Sequence, residues 1–492
     1  MSAANPSLAG QLWFDQFNAA NFANNVHSSV YVNAPAGEIY PGDTQWTSGN
    51  NLSNRVWDKI VPRFGLVWDP NGNGRTIVRA AYGMFTDRAN IYSLTAYGQD
   101  APFGNVITLA NVKLSSPWAN YPGGNPLPIP ITKNEPFLPN SAYVTTPSDF
   151  SPTYLHQWNL SLQRQVGADW LVTANYLGNS TIHLMTAAEL NPAVFLGLNP
   201  CTINGASYTV CSTTGNTNQR RQLYLQNPAQ GQYYSVVAQA DDGGTASYEA
   251  LFLSTQKRLS HGTTLLANYT WSHCISDLWN VFTGNNGTSG VTPGNRRNDR
   301  GNCSLSDQRQ VFNLSAVAQT PGFSNRLLRT VASDWQVSGI INARSAQFFT
   351  VTTGVDNALN GETAIQRPNL VNPNPYPANQ SVTNWISLSA FAAPAPGTLG
   401  NLGISNLKGP GIFQFDMSLT RSFRVRERQM LQLRGEAFNV LNHLNPAVPG
   451  STPGTVTTNA ANFGQILSDI SGTQGLSAGD PRIIQLALKY VF

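Results

Sequence analysis

Runs of apolar–polar alternation recur along this chain, and the links that join them are by turns short and long. That rhythm limits the fold more tightly than any single motif. "RFGLVWD" sets Phe64, Leu66 and Trp68 on one face of an extended strand. After the turn "PNGNG", "RTIVRAAYGMF" sets Val78, Ala80, Tyr82 and Met84 on one face. In "YLHQWNLSLQRQV", Trp158, Leu160 and Leu162 oppose Gln157, Asn159, Ser161 and Gln163, and Gly167, Ala168 and Asp169 lead into "WLVTANYLG". "YEALFLSTQKRL" and "TTLLANYTWS" meet at Ser260, His261 and Gly262, with Leu265, Ala267, Tyr269 and Trp271 facing away from Leu266, Asn268, Thr270 and Ser272. "RQVFNLSAVAQ" and "WQVSGIINARSAQFFTV" form a fourth pair, joined by a longer link carrying Pro321 and Gly322. "FQFDMSLTRSF" and "MLQLRGEAFNV" form a fifth, joined by Arg424 to Arg428, and residues 482–492 supply an eleventh strand.

The links between pairs span roughly 89–152, 180–244, 275–306, 354–411 and 443–480 and are rich in Gly, Pro, Asn, Ser and Thr. Short and long links in strict succession send all tight turns to one end and all large loops to the other. Soluble sandwiches rarely segregate loops this way, whereas outer-membrane barrels do so throughout. Charged residues make up 11% of the chain, far below the ~25% of an ordinary soluble domain. No apolar run reaches the ~20 residues that a membrane helix needs. Strands that bury every second residue in lipid produce that combination. Trp68, Trp170, Trp335, Phe423 and Phe492 fall at the short-turn ends of their strands, with Tyr82, Tyr154, Tyr176, Tyr248 and Trp271 towards the long loops. Two aromatic girdles around an apolar band are what a bilayer interface selects.

The predicted fold is therefore all-β, an antiparallel up-and-down transmembrane β-barrel in the cell outer membrane of a Gram-negative bacterium. Leu160, Leu162, Phe415, Met417, Leu431, Leu433, Leu486 and Leu488 are expected to face lipid. A secreted, Gly- and Asn-rich β-protein would share the composition but would purify without detergent. The formal net charge of +4 is spread along the chain, so nucleic acid is not indicated.

The closing "IIQLALKYVF" places Ile484, Leu486, Leu488, Tyr490 and Phe492 on one face. Tyr490 and Phe492 resemble the terminal sorting signal that outer-membrane assembly machinery reads. The opening "MSAANPSLAGQLWFDQFNAA" has neither a basic nor an apolar leader region, so the expectation is that the natural beginning lies upstream. Residues 1–60 then form an N-terminal remnant, an extracellular loop, and 61–492 the barrel portion. Cys201 with Cys211 and Cys274 with Cys303 are spaced for local disulfides in an oxidising compartment.

Several motifs in a fixed order carry a family resemblance. They are "VPRFGLVWDPNGNGRTIVRAAYGMF", "NYLGNSTIHL", "YEALFLSTQKRLSHGTTLLANYTWS", "TLGNLGISNLKGPGIFQFDMSLTRSF" and "RGEAFNVLNHLNP", the last with Arg434, Glu436, Phe438, Asn439 and Asn442. Over residues 60 to 492 the chain resembles the C-terminal barrel of Oar-like TonB-dependent transporters, abundant in soil acidobacteria. The resemblance implies a 22-stranded barrel, of which eleven strands would be the C-terminal half. It also implies a plug and a TonB box in a preceding part, through which the TonB complex would energise uptake. An Oar-type barrel that displays its loops for adhesion, without active transport, is the alternative.

No catalytic constellation stands out, no enzyme activity or cofactor is expected, and the six histidines are dispersed. Arg434 and Glu436 share the face opposite Leu431 and Leu433. With Asp416 and Gln432 they are expected to form a polar network on the lumen side. In "RRNDRGNCSLSDQR", Asp299, Arg300, Asp307 and Arg309 read as a charge network at the stem of a loop. The substrate is not legible.

Overall fold

The computed structural model describes residues 14–57, 59–87, 136–260, 262–277, 292–303, 306–362, 366–426, 429–450, 455–458, 460–470 and 481–492, with Phe103 and short pieces between 113 and 134. Eleven strands form one antiparallel wall. They are β1 (Arg63–Trp68), β2 (Thr76–Thr86), β3 (Tyr154–Val166), β4 (Trp170–Glu189), β5 (Tyr234–Ser260) and β6 (Thr263–Ser276). The wall continues through β7 (Gln310–Gln319), β8 (Trp335–Arg344), β9 (Ile412–Arg426), β10 (Gln429–Phe438) and β11 (Ile483–Val491). Each strand pairs with the next in sequence, from β1 at one edge to β11 at the other. The fold is the predicted all-β meander, with few and short helices among the described residues.

The tight turns rest on glycine where the backbone must reverse. Gly167 (φ +64°) follows β3 and Gly262 (φ +69°) precedes β6, a region that costs an L side chain strain.

Three strand boundaries depart from the sequence reading. The fourth pair does not run on to Val351: β8 stops at Arg344, and Phe348–Thr352 leaves the wall to pair with Leu407–Lys408 and Thr455–Thr457. Alternation alone does not reveal that break, because "FFTVT" continues in strand-like residues. The strand read as ending at Gly178 runs to Glu189, and the one read from Tyr248 begins at Tyr234. Those extensions pair with each other as far as Ala238 opposite Glu189, and β5 also takes a parallel strand, Ser141–Thr145. The long loops therefore carry sheet structure of their own.

Register assigns the two faces. One row runs Leu162, Ala174, Leu253, Tyr269, Phe312, Ala343 and Phe413 across β3 to β9. Another runs Val337, Leu419, Gly435 and Leu486 across β8 to β11. Offset by one residue, the other face runs Gln163, Thr173, Ser254, Asn268, Asn313, Asn342 and Gln414 across the same seven strands. The Asn342 amide donates to Asn313 at 2.8 Å along that row. All eight residues expected to face lipid lie on the apolar side by register.

The wall is a single layer, and its apolar side is not covered by protein: Leu160 is 54% exposed, Leu488 68% and Leu486 83%. Burying such a side chain is worth about 1.5–3 kcal/mol, so water is a poor solvent for this face and lipid a good one. Most buried apolar residues lie instead in the loops and in the loop-ward extensions of β4 and β5, among them Phe22, Tyr31, Tyr143, Tyr234, Phe349 and Ile386.

Leu160→Arg should cost about 2–4 kcal/mol of folding free energy in lipid if it sits near the midplane, and Asn159→Arg much less. Urea titration of the protein folded into vesicles measures both, and the reverse order would invert the assignment of faces.

Candidate functional site

The loops form an ordered layer over one end of the wall. Its first part contains most of residues 14–43. Gln16–Phe17 pairs with Glu38–Ile39, and the helix Ala19–Ala23 is capped by Asn18, whose side chain accepts from the Asn21 amide at 2.9 Å. The Asp43 carboxylate gathers the loop between them, accepting from Ser28 Oγ (2.7 Å), the Ser29 amide (2.7 Å) and the Tyr40 amide (2.9 Å). Phe22, Tyr31 and Tyr40 then join Phe103, Tyr143, Leu223, Tyr234 and Val237 in one buried cluster. In packing, residues on both sides of position 60 thus belong to one loop layer. Ring centroids stand 4.7 Å apart for Tyr31–Tyr40 and 4.9 Å for Tyr143–Tyr234.

Two carboxyl groups, Asp15 and Glu38, are buried within this aromatic cluster. Burial pushes the Asp15 carboxyl well above the usual carboxylate range, and the neighbouring Glu38 adds to the shift. Burial also raises the Tyr40 hydroxyl, with Glu38 and Asp15 contributing further.

A second core is built from the long loops around β8 to β11: Phe349, Val351, Ile386, Phe391, Leu402, Leu407 and Val448. Arginines join the pieces. Arg220 is fully buried and donates to the carbonyls of Val194 (2.6 Å), Thr213 (2.9 Å) and Leu359 (2.7 Å) and to Asn216 Oδ1 (2.9 Å). It thereby ties the 190–226 loop to the 356–361 segment. Arg367 pairs with Asp299 at 2.8 Å, both side chains being buried, and also donates to the Asn298 carbonyl. Arg296 grips Asp241 through two nitrogens at 2.6 and 2.7 Å, lying where a Cβ on Gly243 would stand. Arg300 reaches Asp277 and Thr245, and Arg309 pairs with Asp307 at 3.1 Å. The "RRNDRGNCSLSDQR" stretch is thus a stem network that locks loops to strand ends. In the buried pair Arg367–Asp299, removing one partner leaves a charge stranded at several kcal/mol.

Cys201 and Cys211 lie bonded with Cα atoms 5.2 Å apart, and Cys274 and Cys303 with Cα atoms 5.4 Å apart. The first clips a small hairpin, Cys201–Ile203 with Ala206–Tyr208, and the second closes the loop beyond β6.

Beneath this layer lies the polar side of the wall. Arg434 and Glu436 form an ion pair. Asp416 accepts from the Gln414 amide at 3.0 Å and from the Asn439 backbone at 2.8 Å, and Gln432 stands opposite Ser422 and Lys489. A recess of about 620 Å3 opens where the 51–57 segment meets the wall, lined by Leu52, Arg55, Trp57, Asp87, Phe150 and Pro152. Among the described residues no three His, Cys, Asp or Glu side chains are grouped to hold a metal ion.

The sequence pattern of the outer membrane beta barrel domain matches residues 10–485. The chain belongs to that family. As a member of the outer membrane beta barrel domain family it resides in the cell outer membrane, and its apolar face is the lipid face. Solved structures with a similar course include the outer membrane transporter YddB from Escherichia coli, at 11% identity and a TM-score of 0.43. That match covers 88% of this chain and 41% of that one. BauA, the ferric preacinetobactin receptor from Acinetobacter baumannii, matches at 13% identity and a TM-score of 0.37, covering 88% and 36%. A mutant of the ferric enterobactin receptor PfeA from Pseudomonas aeruginosa matches at 12% and 0.41, covering 88% and 40%. The chain thus spans about two fifths or less of the length of these three. Among curated proteins none matches it.

In the barrel domain, Trp68, Trp170, Trp335 and Phe423 stand on the lipid face by register, and Phe492 continues the Leu488–Tyr490 row beyond the last pair. The Tyr490 and Phe492 rings lie 6.1 Å apart. The sequence gives no hint of the Asp15–Glu38 pair or of Arg220, because their partners come from distant loops.

The raised Asp15 pKa sets a sign. Between the ordinary carboxylate range and the raised value the folded state holds a proton that the unfolded chain has released. Stability of the loop layer should therefore fall as pH rises through that window. Asp15→Asn should flatten the dependence, read as the melting temperature of the near-ultraviolet dichroism of the tyrosine cluster. A slope unchanged by the substitution would contradict the assignment.

Proposed function

We propose that this chain supplies wall and ligand-facing loops to a TonB-dependent outer-membrane receptor of the Oar-like kind, which imports an unidentified substrate and is not an enzyme. The observation that carries the reading is the loop layer itself. Two hydrophobic cores, buried arginine joints and two cysteine pairs fix a large surface above a polar wall face. A receptor that must hold a ligand before passage needs fixed contacts of this kind. In this reading Arg434, Glu436, Asp416 and Gln432 line the watery path, and Trp68, Trp170, Trp335, Phe423 and Phe492 sit at the periplasmic interface. Tyr490 and Phe492 are read by the assembly machinery, and the two disulfides clip extracellular loops.

The wall also has two open edges. Among the described residues β1 and β11 are exposed along their whole lengths, and each is paired on one side only. Unpaired backbone groups in hydrocarbon cost several kcal/mol each, so further strands are expected to close the barrel. A 22-stranded barrel with a plug and a TonB box in a preceding part would supply them and bring in the TonB complex.

Refolded alone and added to planar bilayers, this chain should give no stable, uniform conductance. Uniform channels would show that eleven strands close by themselves and would remove the larger-barrel part of the reading. In a host carrying the complete gene, deletion of residues 354–411 should abolish a growth advantage that also disappears with an uncoupler. Loss of surface adhesion alone, insensitive to the uncoupler, would favour the display reading.

A further inference from the structure

The link between β7 and β8 differs from the other short-turn connections. Where three residues suffice between β3 and β4, this link runs through "PGFSNRLLRTVASD" and folds the helix Arg326–Ala332. Asn325 caps it, its side chain accepting from the Leu327 and Leu328 amides at 2.9 and 3.3 Å. At helical spacing Leu327, Leu328 and Val331 share one face, and Arg326, Arg329 and Thr330 the other. A seven-residue amphipathic helix is too short to persist in water without support. Yet no residue of this helix is buried: Leu327 is 72% exposed, Leu328 47% and Val331 59%. Among the described residues nothing buries its apolar side.

Two contacts place it. The Trp335 indole nitrogen donates to the Val331 carbonyl at 2.8 Å, and the Arg421 guanidinium donates to the Thr330 carbonyl. By register Trp335 and Arg421 both stand on the lipid face, in the row that continues to Leu433 and Leu488. The guanidinium also lies over the Trp335 and Phe423 rings, 5.1 and 4.6 Å from their centroids. The helix is therefore pinned at its C-terminal end to the outer rim of the wall, not to its lumen. That rim carries Trp335 at the start of β8 and Phe423 near the end of β9.

We propose that this helix is an interfacial foot, laid in the headgroup layer of the periplasmic leaflet. Leu327, Leu328 and Val331 point towards the acyl boundary, and Arg326 and Arg329 meet anionic phospholipid headgroups. Continuity with the lipid face argues for lipid over a protein partner, because a helix on that rim already touches the bilayer. Charge argues the same way: the helix has two arginines and no acidic residue. The inference rests on the barrel's place in the membrane and not on transport, so failure of the receptor reading would leave it standing.

The test uses the protein of the complete gene folded into vesicles of phosphatidylglycerol and phosphatidylcholine, or of phosphatidylcholine alone. All four cysteines of this chain are paired, so Leu328→Cys and Thr330→Cys can each be labelled with a fluorophore. The Leu328 label should be quenched by brominated lipid and be several-fold less sensitive to aqueous iodide than the Thr330 label. Equal iodide sensitivity at the two sites would overturn the proposal, as would a Leu328 label shielded from both quenchers, the mark of a protein contact. Arg326→Glu with Arg329→Glu should lower lipid quenching at position 328 in the anionic vesicles, with folding checked by heat-modified gel mobility. Quenching that ignores both the charge reversal and the lipid charge would overturn the assignment of an anionic partner.

Discussion

A backbone amide in hydrocarbon has no water to bond to, and that constraint governs this chain from β1 to β11. Every N–H and C=O that crosses the membrane must find a partner on a neighbouring strand. Between the two edge strands the antiparallel ladder provides one, which is why the strands follow sequence order and why the turns at one end can be so short. Once the ladder is formed, the period of two divides the side chains between solvents. Leu162, Ala174 and Leu253 fall to lipid, while Gln163, Thr173 and Ser254 fall to the other side. The wall needs no core because the bilayer takes its place.

The loop layer answers a different physical demand. It lies in water, so it must bury its own apolar surface and satisfy its own backbone. It does so with compact aromatic clusters and with arginines that donate to carbonyls across loops, as Arg220 does for Val194, Thr213 and Leu359. Burying Asp15 and Glu38 beside four tyrosines works against the stability of that layer at neutral pH. A surface held this firmly can present fixed contacts to a ligand, which links the packing to the proposed receptor role.

The wall was legible in the sequence because its information is local. "YLHQWNLSLQRQV" alternates cleanly and spans the residues of β3, and Gly167 and Gly262 mark their turns. The misread boundaries lie where the local signal runs on or fades. "FFTVT" keeps strand character after β8 has ended, and "NSTIHLMTAAE" loses alternation although β4 continues through it. The loop layer was hardly legible, because its contacts join residues far apart: Tyr234 donates to the Ala36 carbonyl, and Arg367 reaches Asp299. Arg220 is enclosed by carbonyls from Val194, Thr213 and Leu359, which its own neighbours in sequence do not announce. The sequence reading has only a longer link carrying Pro321 and Gly322 where the helix Arg326–Ala332 stands, because seven residues are too few for a helical period to show. Arg434 and Glu436 stand two apart on a strand, and that spacing alone sets them on one face.

The central claim is that one sheet face meets lipid and the other meets water. The most direct measurement scans nitroxide labels through residues 157–163 of β3 in folded, vesicle-embedded protein, comparing accessibility to oxygen and to a water-soluble nickel chelate. The account predicts a period of two, with positions 158, 160 and 162 oxygen-accessible and 157, 159, 161 and 163 nickel-accessible. Uniform access to nickel along the strand, or the opposite phase, would contradict it.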